Sequence, residues 1–109
     1  MSDVTNLLIA FSLSEDEEKI QQQLRQHVYN NITQFDAVSA DSPTLPKGWY
    51  AGSKYLEAQL LIGAYNHLNL DELFVFMKNM TWECPEDVQL IVKEQWDSKF
   101  RLIDLFPEA

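Results

Sequence analysis

Ten residues near the start of the chain, Val4 to Leu13, alternate with period two and are largely apolar on both sides. Leu7, Ile9, Phe11 and Leu13 fall on one face, and Leu8, Ala10 and Ser12 on the other. A strand with apolar residues on both faces belongs inside a sheet rather than at its edge. The rest of the chain must therefore supply it with neighbours.

Ser14-Glu15-Asp16-Glu17 fits a capping box, a serine followed three residues later by a glutamate. The helix it opens is expected to run to about Tyr29, with Ile20, Leu24 and Val28 as its apolar stripe. Ile32 to Ser39 reads as a second, weaker strand, with Thr33, Phe35 and Ala37 alternating against Gln34 and Asp36. Pro43, Pro46, Gly48 and Gly52 then forbid regular structure from Ala40 to Lys54. Tyr55 to Asn66 fits either a strand or a helix. Leu56, Ala58, Leu60, Ile62 and Ala64 at period two favour the strand, in which Gly63 marks a bulge or a close approach.

The next helix is better signposted. Asn69 is placed as its cap, Glu72 at the capping-box position, and Leu68 with Leu73 as a hydrophobic staple. Leu70, Leu73, Phe74, Met77 and Met80 line one face as far as Thr81. Cys84-Pro85 breaks the chain, Val88 to Glu94 forms a strand, Trp96 to Lys99 turns it, and a last strand ends before Pro107. The chain, residues 1–109, is thus expected to be a single α+β domain. Its element order is ferredoxin-like, β-α-β-β-α-β with an extra C-terminal strand, which places two helices on one face of an antiparallel sheet.

Charge narrows the function classes. Seventeen Asp and Glu against eight Lys and Arg give a net charge of −9. Direct nucleic-acid binding is disfavoured, because that affinity comes from cations displacing counterions along phosphates. An anionic membrane surface repels such a chain for the same reason, whereas a basic protein is steered toward it. Cys84 is the only cysteine, so no disulfide framework exists within the chain, and Met1 to Val4 lack the basic stretch of a signal peptide. A cytoplasmic location is expected.

No motif identifies catalysis, a metal or a cofactor. His27, His67 and Cys84 are the only soft ligand types, and no two stand at a ligand spacing. His27 and His67 are read as surface or capping residues. Cys84 with His67 would make a thiolate–imidazolium pair only if the fold brought them together. Gly48, Gly52 and Gly63 match no phosphate-cradling fingerprint.

Two groups remain as candidate binding residues. The segment 47–55 gathers two of the eight basic residues with three aromatics, and within it Trp49, Tyr50, Lys54 and Tyr55 are the residue types that anchor interfaces. Glu15, Asp16, Glu17 and Glu18 form an acidic block, with Asp71, Glu72, Glu83, Glu86 and Asp87 further on. In size and charge the chain is similar to bacterial immunity proteins and to inhibitors from phage or mobile elements, a likeness of class that rests on no motif. The leading expectation is a non-enzymatic acidic protein that binds another protein, with basic or nucleic-acid-handling ones among the candidates, and inhibits or modulates it. The alternative is a small-molecule-binding or minor enzymatic ferredoxin-like domain using the 47–55 loop. A homodimer through an exposed sheet face or edge is a third reading.

Overall fold

The computed structural model describes residues 3–29, 32–40 and 58–107. Strand β1, Val4–Phe11, lies at the centre of a five-stranded sheet. Across it run β4 (Val38–Ser39), β5 (Gln59–Asn66), β1, β6 (Gln89–Glu94) and β7 (Arg101–Asp104), in that spatial order, and every ladder is antiparallel. The architecture is α+β, with two helices, α1 (Glu17–Leu24) and α2 (Leu70–Lys78). A separate two-stranded ribbon joins β2 (Val28–Tyr29) to β3 (Thr33–Gln34).

Register explains which side chains share a face. Leu7 pairs with Gly63 and Val92, and Ile9 pairs with Leu61 and Leu90. Directly opposed residues point to the same side of a sheet, and this side is closed: Leu7, Ile9, Phe11, Leu61, Leu90 and Val92 are all buried. Ile20 and Leu24 of α1 and Leu73 and Met77 of α2 join the same core. On the other side Leu8, Ile62 and Ile91 keep part of their surface in water.

α2 begins as its sequence predicts. Asn69 accepts a hydrogen bond from the Glu72 N–H at 3.1 Å, while Leu68 and Leu73 are buried on either side of the cap. The β5 strand also stands over the residues described, 59–66. A Cβ at Gly63 would collide with the Tyr65 ring and hydroxyl, so the glycine marks a close approach. Tyr65 lies over it, stacks on Phe35 at 4.5 Å, and donates its hydroxyl to the Asp36 carbonyl at 2.6 Å.

Three expectations need correction. Asp16, not Ser14, caps α1, accepting from the Lys19 N–H at 3.3 Å, because the Ser14 N–H turns back to Ser12 Oγ. The helix stops at Leu24 rather than near Tyr29, since the His27 carbonyl accepts from the Phe35 N–H at 2.8 Å and Val28–Tyr29 pair as a strand. Val28 is consequently 51% exposed instead of completing the stripe. Finally, the single strand expected over 32–39 is two short pieces in different sheets. Its alternation still holds for burial, with Phe35 and Ala37 inside, but the backbone between β3 and β4 is bonded to His27 and Tyr65 instead of a ladder. The expected element order is therefore interrupted by the β2–β3 ribbon. None of the helices among the described residues is long and apolar enough to cross a membrane.

Candidate functional site

The acidic block at the start of α1 follows a turn that fixes where it points. After β1 the chain bends at Ser12, whose carbonyl accepts from the Glu15 N–H at 3.2 Å. Glu15 is then carried inward and is only 6% exposed. Its Oε1 accepts from the Glu83 N–H at 3.1 Å and its Oε2 from the Cys84 N–H at 2.9 Å. Its own carbonyl accepts from Gln59 Nε2 at 2.9 Å. A buried carboxylate is tolerable only with such partners, and each charge-assisted bond is roughly twice as strong as a neutral one. Glu15 is thus a tether inside the fold, not part of the acidic surface on which the sequence placed it.

The tether has a consequence for its neighbours. It joins the start of α1 to the 83–87 segment, so Asp16, Glu17 and Glu18 lie at the same end of the molecule as Glu83, Glu86 and Asp87. Asp104 is at that end as well, since it pairs with Gln89, which in turn pairs with Ala10 near the end of β1. Among the described residues none of these seven carboxylates is in an ion pair; the pairs are Arg25–Asp36, Arg101–Glu94 and Arg101–Asp97. Lys93, Lys99 and Arg101 lie at the opposite end, around the β6–β7 hairpin. Lys19 stands among the carboxylates in the first turn of α1, and Glu94, Asp97, Asp71 and Glu72 share the opposite end with the cations, so the excess of carboxylates is larger at the α1 end. Asp71 and Glu72, in the first turn of α2, are not part of the acidic end: that helix starts beside the far end of β1, where the His67 N–H donates to the Asp3 carbonyl at 2.9 Å.

That same geometry separates Cys84 from His67. One is tied to the turn after β1 and the other to the residue before it, with a strand of eight residues between, about 26 Å at ~3.3 Å per residue. No thiolate–imidazolium pair can form between them within one chain. Cys84, Glu86 and Asp87 do bring ligand atoms within 4.8 Å of one another. A thiol beside two exposed carboxylates mixes soft and hard donors, and we do not take the trio as a metal centre.

His27 differs from its sequence reading as a surface or capping residue. It is 8% exposed, packed 4.9 Å from the Phe76 ring and 6.2 Å from Phe35, and its Nε2 has no hydrogen-bond partner. Burial lowers its pKa, and the Glu72 carboxylate partly opposes that shift. Burial also raises the Tyr65 hydroxyl well above the ordinary tyrosine range, with smaller contributions from Tyr29 and Asp36. Both residues are buried, Tyr65 within the hydrophobic core.

A shallow cleft of about 300 Å³ opens between α2 and the hairpin, lined by Asn69, Leu70, Phe74, Glu94, Arg101 and Ile103. Its one cation is already held, Arg101 lying 3.2 Å from Glu94 and 3.5 Å from Asp97. Trp49, Tyr50, Lys54 and Tyr55, with the whole 47–55 segment, lie outside the described residues. Compared with protein-family models, curated proteins and solved structures, the chain matches none.

Proposed function

We propose that this chain is a non-enzymatic acidic interaction protein whose acidic end docks a basic protein and thereby inhibits or modulates it. The observation that carries this is the Glu15 tether, which unites carboxylates far apart in sequence while none of them is neutralised by an ion pair among the described residues. Such a predominantly acidic end, seven carboxylates against Lys19, steers an oppositely charged partner and governs on-rate and specificity more than raw affinity. A cytoplasmic location accompanies the proposal, supported by a lone cysteine and hence no disulfide framework. We also propose that the sheet with its two helices is a ferredoxin-like arrangement. It is supported by the flanking of β1 by β5 and β6 with β4 outside β5; the β2–β3 ribbon is then an insertion and β7 an edge addition.

The test is affinity capture from the native lysate with two baits, the natural chain and Glu18→Gln/Glu86→Gln/Asp87→Asn. All three positions are exposed, so the substitutions should leave stability within about 0.5 kcal/mol. A basic protein held by the first bait, lost from the second, and released as salt rises from about 0.1 M to about 1 M is the expected result. Identical captures by both baits would move the site away from the acidic end.

A further inference from the structure

The open face of the sheet carries a continuous apolar row. Val38 pairs with Ile62, Ile62 with Leu8, Leu8 with Ile91, and Ile91 with Leu102. One large aliphatic side chain from each of the five strands therefore lies on a single line from edge to edge. Val38 is 56% exposed, Ile62 39% and Leu102 64%. Leu60 and Ala10 lie beside the row on one side and Ala64 on the other, in register with it. Isolated exposed aliphatics are ordinary, but a contiguous patch of them marks an interaction surface.

We propose that this face packs against the same face of a second copy, with a two-fold axis running along the Leu8–Ile91 row. Two features of the molecule select that occupant. The first is charge. In a chain of net charge −9, the strand residues described on this face hold one cation, Lys93, and one anion, Asp104. Mutual repulsion between copies is least where the charge is absent. Lys93 and Asp104 also stand on opposite sides of the row, since Gln89, the pair of Asp104, and Lys93 flank Ile91 on β6. An axis along the row exchanges those sides, setting Lys93 of one copy over the Gln89–Asp104 side of the other. It also sends the two acidic ends to opposite extremes, away from one another. An axis along the strands would instead put both acidic ends together.

The second feature is size. Five strands of two, eight, eight, six and four residues at ~3.3 Å per residue and ~4.8 Å spacing give a footprint of about 440 Å² per copy, or roughly 900 Å² for two, the size of a weak, concentration-dependent interface. The edges offer less: β4 has two residues and β7 four, and short edge strands resist pairing with another chain. Face-to-face packing with strands within about 30° of one another is the ordinary way two such sheets close, and the dimer is isologous, residue i meeting j as j meets i.

Sedimentation equilibrium on the full chain tests this. The natural protein should pass from 12.7 kDa toward twice that mass as concentration rises to about 1 mM, the range suited to an interface of this size. Leu102→Lys and Val38→Lys, at opposite edges of the row, should each weaken association by about thirtyfold or more. Circular dichroism verifies that both variants remain folded. Lys93→Glu should weaken the dimer, and adding Asp104→Lys to it should recover part of the loss. A natural chain that stays at 12.7 kDa throughout, as it would if residues 41–57 or a foreign protein covered the face, overturns the proposal. So do folded row variants that associate as tightly as the natural chain.

Discussion

Along β1, Leu7, Ile9 and Phe11 are 2%, 1% and 1% exposed, whereas Leu8, seated between the first two, keeps part of its surface in water. The difference does not come from the residues themselves, which are apolar on both sides. It comes from what the rest of the chain has available to cover them. α1 and α2 each contribute one apolar stripe, and both stripes reach the same side, where Phe35 and Tyr65 complete the seal. The comparison teaches that strand alternation defines two candidate faces, while the helices decide which becomes a core.

Deleting a side chain from the closed face tests that division most severely. Phe35 is fully buried, stacked on Tyr65 and edge-on to His27. Phe35→Ala should cost ~3–5 kcal/mol of folding free energy, the transfer of the ring plus the cavity it leaves. Urea unfolding measures this through a lower midpoint at unchanged slope. A loss below about 1 kcal/mol would mean the closed face is less tightly packed than its burial implies.

Glu15→Ala comes next. It leaves the Glu83 and Cys84 N–H groups without their acceptor in a part-buried site, and buried unsatisfied groups cost ~1–3 kcal/mol each before water relieves them. A loss near 2–3 kcal/mol is expected, with Glu15→Gln, which keeps one acceptor oxygen, in between. Because the tether assembles the acidic end, Glu15→Ala should also alter partner capture, a readout that a merely loosened core such as Phe35→Ala should not share at a temperature where both are folded.

Local signals account for the parts of this structure that were legible beforehand. The Asn69 cap, the Leu68–Leu73 staple and the hairpin around Trp96 to Lys99 are settled within a few residues, and all are present. The ends of α1 are not of that kind. Ile20, Leu24 and Val28 keep helical spacing, but the helix is stopped by a hydrogen bond from Phe35 to the His27 carbonyl, which no periodicity reveals. The acidic end was half legible. Asp16, Glu17 and Glu18 are visible as a run, yet their union with Glu83, Glu86 and Asp87 depends on bonds across 68 and 69 residues from a glutamate that looks like its neighbours. Burial of His27 was equally hidden, because Phe76 and Phe35 reach it from other elements.

His27 supplies a smaller effect that depends on pH. Its pKa in the folded chain is held below the ordinary 6.5, chiefly by burial. Below that value the unfolded chain binds a proton at this site that the folded chain resists. Stability from this group is therefore fully present above about pH 6.5 and is lost as pH falls below it, at no more than about 1.4 kcal/mol per pH unit. Comparing the natural chain with His27→Leu between pH 7 and 5 isolates the group from the many carboxylates, since only their difference reports it. A difference that does not change with pH would show that His27 gains a partner or water on protonation.

The smallest effect is expected on the open face, and it bears most directly on the comparison between the two sides of β1. Leu102 is 64% exposed at the edge strand and pairs across to Ile91. Leu102→Ser removes an aliphatic group that already stands mostly in water, so the folding free energy of the dilute chain should change by no more than about 0.5 kcal/mol. The measurement belongs at concentrations low enough to keep copies apart, because anything that binds only the folded state adds apparent stability by mass action. Under those conditions the natural chain and the variant should unfold at the same urea midpoint. As concentration rises, the natural chain should gain stability over Leu102→Ser if the open face meets a second copy. A loss of about 2 kcal/mol or more in the dilute chain would instead mean that something within the chain already covers Leu102. The two sides of β1 would then differ in how they are covered, not in whether they are.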